Sequence, residues 1–546
     1  MEGLMQDYEL TIQHALWRIK RLFPRKEIVT KQEVGVHRTT YGEMVPRINQ
    51  LAGALHRLGI KEGDRVATLC WNNYRHLELY YAIPCMGAVL HTLNLRLFPK
   101  DLQFVIEDAD DQVIFIDQTL IPILNQLAGK LPTVKHIVLI SNGQPVPEHQ
   151  LGEMLDYETL LAPEPAEYEW PQLREQSAAA MCYTSGTTGN PKGVIYSHRS
   201  QFLHTMGVLQ VDNLALSEKE TVFPIVPMFH ANSWGLPYAC GFAGSKIIFP
   251  DRWMGDAPSV VELAESEGAT IVGGVPTIWT NVAGYLEQTG KRLPKVHTVI
   301  CGGSAIPRSL MERMDKLGLH MLHAWGMTET SPLGSTGVVR SWIPADQVLD
   351  RRLTQGIAVS GVEIRIADPS SFKELPWDGV AFGEIQVKGP WIAKGYYHDA
   401  DPEKMTPDGW FRTGDVAKID PDGHIIIVDR TKDVIKSGGE WISSVDLENA
   451  IMGHPKVLEA AVIGLPHPRW DERPVAFVVE RPEHKGKVTS EEIREFLDGK
   501  IAKWWLPDEI RFIDEVPKTS VGKFDKKVLR NGAKPFTEAA TATAHR

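Results

Sequence analysis

An α/β fold is predicted for this chain: a large N-terminal domain of parallel αβα layers with an added antiparallel β subdomain, followed by a small α+β C-terminal domain. Three observations predict it. Short apolar runs alternate with helix-period segments through the first three hundred residues, the alternation that builds parallel sheets. At residues 361–367 and 383–388 the apolar period becomes two, with Glu363, Arg365, Glu384 and Gln386 alternating against apolar neighbours, which predicts an antiparallel sheet packed on one face. Beyond Asp429 the pattern changes again, so the domains are read as 1–429 and 430–546.

Taken in order, apolar residues recur at helical spacing over 9–22 and again over 39–58, where Thr39-Thr40-Tyr41 offers a cap. Gly59 and Gly63 punctuate. Residues 65–70 read as a buried strand, 74–86 as a helix, and 88–93, 112–117 and 136–140 as further strands. The polar, proline-bearing stretch 163–176 is a loop, and the apolar runs 178–182 and 194–196 are strands on either side of a second loop. Next come the segment 223–230, a glycine-rich stretch over 240–250, a helix over 259–266 and a strand over 270–275 stopped by Pro276. A short strand at 298–301 runs into Gly302-Gly303-Ser304-Ala305, and ligands in such sheets collect beyond the carboxyl ends of strands. In the C-terminal domain 460–465 and 475–480 read as strands and 490–505 as a helix opened by a Ser-x-x-Glu-like cap, with the last dozen residues disordered. No internal repeat is present.

The 546 residues, 43% of them apolar, suffice for large cores and three or four structural units. With 58 basic against 69 acidic residues, a net charge of −11 and no long run of either sign, nucleic acid is excluded as the main partner. An anionic ligand must then be held by local groups. Cys70, Cys85, Cys182, Cys240 and Cys301 lack metal-ligand spacing and read as buried free thiols in a reducing compartment. Glu2, Asp7 and Glu9 open the chain without a basic segment leading into an apolar run, and no window holds eighteen uninterrupted apolar residues. A cytoplasmic protein without stable membrane insertion is expected.

The stretch 183–193, Tyr-Thr-Ser-Gly-Thr-Thr-Gly-Asn-Pro-Lys-Gly, is suited to surrounding phosphate. Gly186 and Gly189 let the backbone turn and present N–H groups, Thr184, Ser185, Thr187 and Thr188 add hydroxyl donors, and Lys192 adds a cation. It is not a Walker A loop: Pro191 stands where a glycine should precede Lys192, and Gly193 where Ser or Thr should hold magnesium. A surface linker is the bland alternative, disfavoured by the apolar strands on both sides. These residues match the phosphate-binding signature of the acyl-adenylate-forming enzymes, the superfamily of acyl-CoA synthetases, luciferases and peptide-synthetase adenylation domains. The chain resembles that family from about residue 30 onward, with the family's major motifs in order.

His323-Ala324-Trp325-Gly326-Met327-Thr328-Glu329-Thr330 resembles the family's aromatic-Gly-x-Thr-Glu segment, with Trp325 where Tyr is commoner. Trp325 offers a face for a purine, Thr328 a hydroxyl for a phosphate, and Glu329, with the Thr184 hydroxyl, hard oxygens for magnesium. Alone, Glu329 would read as a solvated carboxylate. Gly303, Ser304 and Ala305 would admit adenine close to the backbone, though a tight strand-to-helix turn needs the same glycines. By resemblance Asp415 and Arg430 hold the ribose, Lys432 is the hinge of a mobile C-terminal domain, and Lys436, Ser437, Gly438, Gly439, Glu440 and Trp441 shape the thioester-forming site for CoA. A charge cluster in a linker is otherwise the default reading of 429–436.

Lys523 matches the adenylation lysine, although Lys526 and Lys527 make a plain basic patch the competing reading. His230, Trp234 and Gly235 would line the acyl pocket; His230 caps the carboxylate end and Trp234 resembles a gating indole, a position where Trp is otherwise simply core.

The resemblance therefore implies an AMP-forming ligase similar to bacterial medium- and long-chain fatty-acyl-CoA synthetases. It would use ATP, magnesium and CoA on a small carboxylic acid, and would be a homodimer. The alternatives are a ligase for a short thioether acid such as 3-methylthiopropionate, or an adenylation enzyme loading a carrier protein. No carrier segment with its attachment serine is apparent after Lys523. A non-catalytic nucleotide-binding scaffold would be expected to lose Lys523 or Glu329, and both are kept.

Overall fold

A computed structural model describes the chain except Glu2 and residues 185–189, 438–439, 519–523 and 534–546, and the side chains of Glu440 and Trp441. The expected disorder of the last dozen residues lies outside the described residues, as do Ser185, Gly186, Thr187, Thr188, Gly189, Gly438, Gly439 and Lys523. Two compact units are formed. One comprises 1–364, 387–411 and 422–424; the other comprises 365–386, 412–421 and 425 onward.

The first unit holds two sheets. In the seven-stranded sheet the order is Leu155–Asp156, His136–Ile140, Asp111–Asp117, Arg65–Leu69, Val89–Thr92, Ala178–Tyr183, Gly193–Ser197. All neighbours are parallel except the last pair, the antiparallel hairpin around the phosphate-binding stretch. In the nine-stranded sheet the order is Ile357–Ala358, Leu333–Thr336, Met321–Gly326, Thr298–Gly302, Ile271–Gly274, Thr221–Pro224, Lys246–Phe249, Glu27–Lys31, Val36–Thr40. Its five central strands and Glu27–Lys31 do not alternate antiparallel partners; they run parallel, as continuous apolar runs buried on both faces do. Parallel pairing brings the carboxyl ends of Thr298–Gly302 and Met321–Gly326 to one edge, with Gly302 opposite Ala324.

The helices start where side chains satisfy their first free N–H groups. Thr40 accepts from the Glu43 N–H while the Glu43 carboxylate accepts from the Thr40 N–H, a reciprocal cap for Tyr41–Arg57. Asn73 caps Tyr74–Cys85 in the same way through the His76 N–H. The first helix is shorter than its apolar spacing suggests, Gln13–Arg21.

In the second unit, the period-two segments form an antiparallel sheet in the order Glu363–Ala367, Phe382–Lys388, Phe411–Ile419, Ile425–Arg430. The last two strands were not anticipated. A five-stranded sheet follows, with Val457–His467 and Asp471–Glu480 as its long antiparallel centre and Glu509–Phe512 added parallel at one edge. The predicted helix over 490–505 is only Ser490–Leu497, capped by Thr489. Gly499, at a φ of +74°, turns the chain out of the helix, and the apolar residues that extended the pattern belong to a separate short turn at Lys503–Trp505. All five cysteines are buried and free.

Candidate active site

The hairpin that carries the phosphate-binding stretch is closed at its base by backbone. The Thr184 N–H donates to the Lys192 carbonyl at 2.9 Å, and the Lys192 N–H reaches the Thr184 hydroxyl at 3.4 Å. Returning along Gly193–Ser197, the buried Tyr196 hydroxyl donates to the Thr328 carbonyl at 2.7 Å. This bond ties a strand of the seven-stranded sheet to the turn at the end of a strand in the nine-stranded sheet. The returning strand Gly193–Ser197 and the Thr328-Glu329 turn are thereby fixed to one another.

Glu329 is 5% exposed, and its carboxylate accepts from the Tyr396 hydroxyl. Its backbone carbonyl accepts from the Ala393 N–H at 2.8 Å, so the turn is held from the 391–397 segment twice. Lys192 closes the ring. Its ammonium lies 2.5 Å from an Asp401 carboxylate oxygen and 5.2 Å from the Tyr396 ring centroid. Cation, phenol and carboxylate thus form one connected set with the Thr184 hairpin.

Two glycines are required by close approach. A Cβ on Gly326 would lie 1.6 Å from the Pro332 carbonyl oxygen, and one on Gly302 would lie 2.6 Å from the Ala324 carbonyl oxygen. The tip of Trp234 is 3.4 Å from that same Gly302 position, which brings this tryptophan to the glycine turn. Beyond it Gly303, Ser304 and Ala305 are exposed. His230 is exposed as well, at the end of the segment leaving Thr221–Pro224.

Other candidates are packed inward. Trp325 is 8% exposed and its ring lies against Gly334, so one face is covered by backbone. His323 is buried, which pushes its imidazole down to about 4 and keeps it neutral near pH 7. Ala324, Met327 and Thr328 are half-buried around these two.

In the second unit Asp415 and Arg430 are partners across neighbouring strands. Asp415 is 3% exposed and Arg430 Nε is 2.7 Å from its carboxylate, at the register that sets Asp415 opposite Arg430. Asp415 is further fixed by its own N–H, which donates to the Thr413 hydroxyl. Lys432 and Lys436 are exposed, Ser437 is buried and accepts from Arg473, and Ile435–Ser437 pairs with Glu440–Ile442 as a short hairpin.

Lys518 and Phe524 form an antiparallel bridge that brings the two ends of 519–523 together. The basic-patch reading of this region does not describe Lys526. That ammonium is buried, 2.7 Å from Glu448 and 2.6 Å from the Ser444 hydroxyl, and anchors the helix that follows Lys523.

Tyr196, Tyr396 and Asp401 escaped the reading of the sequence, as did the buried pairing of Lys526 with Glu448. The aromatic pair in Gly395-Tyr396-Tyr397 was the available signal, but nothing in its spacing says that one phenol faces Glu329.

With this geometry established, comparisons with known proteins place the chain. The family model described as AMP-binding enzyme matches residues 16–397, and the AMP-binding enzyme C-terminal domain matches 446–523. The chain belongs to the AMP-binding enzyme family. It is 47% identical over 539 residues, 97% of each chain, to the long-chain-fatty-acid–CoA ligase of Thermus thermophilus. It is 42% identical over 547 residues, 99% of this chain and all of the other, to the 3-methylmercaptopropionyl-CoA ligase of Ruegeria lacuscaerulensis. The medium-chain-fatty-acid–CoA ligase of Ectopseudomonas oleovorans is 40% identical, with 97% of each chain covered. Among solved structures, ATP-bound MatB from Rhodopseudomonas palustris superposes with a TM-score of 0.81 at 26% identity, over 96% of this chain and 99% of that one.

Proposed function

We propose that this protein is an AMP-forming acyl-CoA ligase that activates a medium- or long-chain carboxylic acid. The observation that carries the reading is the Tyr196–Thr328 bond, which joins the strand following the hydroxyl-rich stretch to the turn bearing Glu329. Full-length similarity to three acid–CoA ligases supports the acid–thiol ligase class.

In the first step a carboxylate oxygen of the acid attacks the α-phosphorus of ATP, forming the acyl–phosphate bond as pyrophosphate leaves. In the second the CoA sulfur attacks the acyl carbon and AMP leaves. In this reading the hydroxyls of Thr184, Ser185, Thr187 and Thr188 and the Lys192 ammonium serve to bind the phosphates. Asp415, with Arg430 beside it, accepts from the ribose hydroxyls. Lys523 draws the carboxylate and α-phosphate together and offsets the charge that builds between them. One buried carboxylate and one hydroxyl, Glu329 and Thr184, suit magnesium, which prefers few protein oxygens beside substrate phosphates; the ion would neutralise phosphate charge there.

The boundary between 1–429 and 430–546, with the hinge at Lys432, belongs to this reading: rotation exchanges Lys523 for the Gly438-Gly439 face between the steps. Cytoplasmic location and a homodimer belong to it as well. Among the described residues no helix is long and apolar enough to cross a membrane.

The test is pyrophosphate release from MgATP across straight-chain acids of about two to sixteen carbons and 3-methylthiopropionate, with and without CoA. An optimum among the longer acids with CoA-dependent AMP production supports the reading. An optimum at the thioether acid moves the substrate to the alternative that the Ruegeria relative favours. Acid-dependent pyrophosphate with no acyl transfer to CoA and no CoA-dependent AMP release points to a carrier protein, and no acid-dependent pyrophosphate overturns the ligase.

A further inference from the structure

The helix His198–Leu209 turns a polar face into the protein. His198, Gln201, His204 and Thr205 are all buried, where a helix in an α/β core ordinarily presents apolar side chains. Thr205 satisfies itself on the Gln201 carbonyl at 2.7 Å. The others do not. Both polar atoms of the Gln201 amide, which is 1% exposed, lack a hydrogen-bond partner among the described residues.

His204 Nε2 accepts from the Leu333 N–H at 3.3 Å, which assigns its proton to Nδ1, and Nδ1 has no partner among the described residues either. Burial pushes this imidazole down to about 3, so it is a neutral donor. Gln201 and His204 are three residues apart and therefore share a helix face.

That face meets the acyl-side turn. A Cβ on Gly235 would lie 2.7 Å from His204 Nδ1, and Gly235 directly follows Trp234. The turn itself is unusual: Ala231, Asn232, Ser233, Trp234 and Gly235 all have positive φ, from 35° to 73°. Non-glycine residues rarely adopt this conformation, and strain of this kind clusters where function requires a shape.

The turn is held by the Ser233 hydroxyl on the Val226 carbonyl and by the Cys182 thiol donating to Asn232 Oδ1 at 2.6 Å. The second bond leaves Asn232 Nδ2 as another buried donor with no partner among the described residues. The unmet groups are thus mainly donors: His204 Nδ1–H, the Gln201 amide and the Asn232 amide. Each is destabilising if nothing accepts from it. A ligand that supplies an acceptor removes that cost, and a saturated alkyl chain supplies none.

We propose that Gln201, His204 and Asn232 form a specificity subsite of the acyl pocket that takes acids carrying an oxygen acceptor, a carbonyl or hydroxyl, along the chain. The inference rests on the ligase reading above and narrows its substrate class from plain alkyl acids to oxygenated ones.

The experiment measures acid-dependent pyrophosphate release for pairs of equal-length acids, plain alkyl against keto and hydroxy forms, in the wild type and in Gln201→Met, with Gln201→Leu as a second variant of similar volume. A single cooperative thermal transition with a midpoint at or above that of the wild type establishes folding. The wild type is expected to favour an oxygenated acid by about tenfold or more in kcat/KM, the discrimination that unpaired buried polar groups generate. The Gln201 variants are expected to bring the ratio toward one through KM, with kcat little altered.

No wild-type preference for any oxygenated acid, or the same ratio in wild type and variants, would mean that ordered water satisfies these groups and would overturn the proposal. In either case alkyl-dependent pyrophosphate release leaves the ligase reading standing. That reading falls only if no acid is activated.

Discussion

Asp117→Asn is predicted to stabilise the protein progressively as pH rises. Asp117 closes the strand Asp111–Asp117 and faces a cleft of about 400 Å³ that also receives Asp251. The Asn73 amide lies between the two carboxylates, 3.1 Å from Asp117 and 3.5 Å from Asp251. Because Asn73 Oδ1 accepts from the His76 N–H, the orientation of that amide is settled, and a donor faces the acidic pair.

Burial, and then the charge of Asp251, push the Asp117 carboxyl up from the usual 3.8 to about 8; Arg75 and the Trp71 N–H offset only part of this. Asp251 is raised too, chiefly by burial, with Arg252 and Glu33 as its own charged neighbours. A carboxyl whose folded value is raised keeps its proton after the unfolded chain has released it. Between the unfolded value and about 8 the folded state therefore binds more protons, and stability falls as pH rises through that window, by about 1.4 kcal/mol per pH unit for one proton.

Asparagine preserves an acceptor for the Trp71 N–H at 2.6 Å and removes the titration. Urea unfolding of both proteins from about pH 5.5 to about pH 8.5 should show the gap between variant and wild type widening with pH. Other buried carboxyls such as Glu78 and Asp111 are common to both proteins and cancel in the difference. A gap that stays constant or narrows would refute the reasoning.

Two further predictions concern the active site. Lys523→Ala should reduce acyl-AMP formation by at least about a hundredfold while CoA-dependent consumption of supplied acyl-AMP persists, and equal loss of both half-reactions would remove the assigned role. Asp415→Ala should raise the KM for ATP about tenfold or more, because it deletes a buried acceptor and leaves Arg430 without its partner at 2.7 Å; an unchanged KM for ATP would sink the ribose assignment.

The residues alone determined the local chemistry of this protein. Strand and helix alternation followed from apolar period and the change to antiparallel pairing from period two, while hydroxyls, glycines and one lysine at close spacing marked 183–193 as a candidate phosphate loop. Those are short-range properties, set by neighbours within a few positions. Asp415 and Arg430 were identified singly by resemblance, but their contact depends on strand register, which is a property of two strands.

Tertiary structure decided what faces what. Only folding sets the Tyr196 hydroxyl on Thr328, 132 residues away, and the Tyr396 hydroxyl on Glu329, and only folding buries Lys526 on Glu448. Helix length was misjudged at 490–505 because an apolar pattern continued past Gly499 into a different element. The polar face of His198–Leu209 is the converse case. Its sequence has no clean amphipathic stripe, and nothing in it tells that Gln201 and His204 point inward, because burial is imposed by the turn and helix that pack over them.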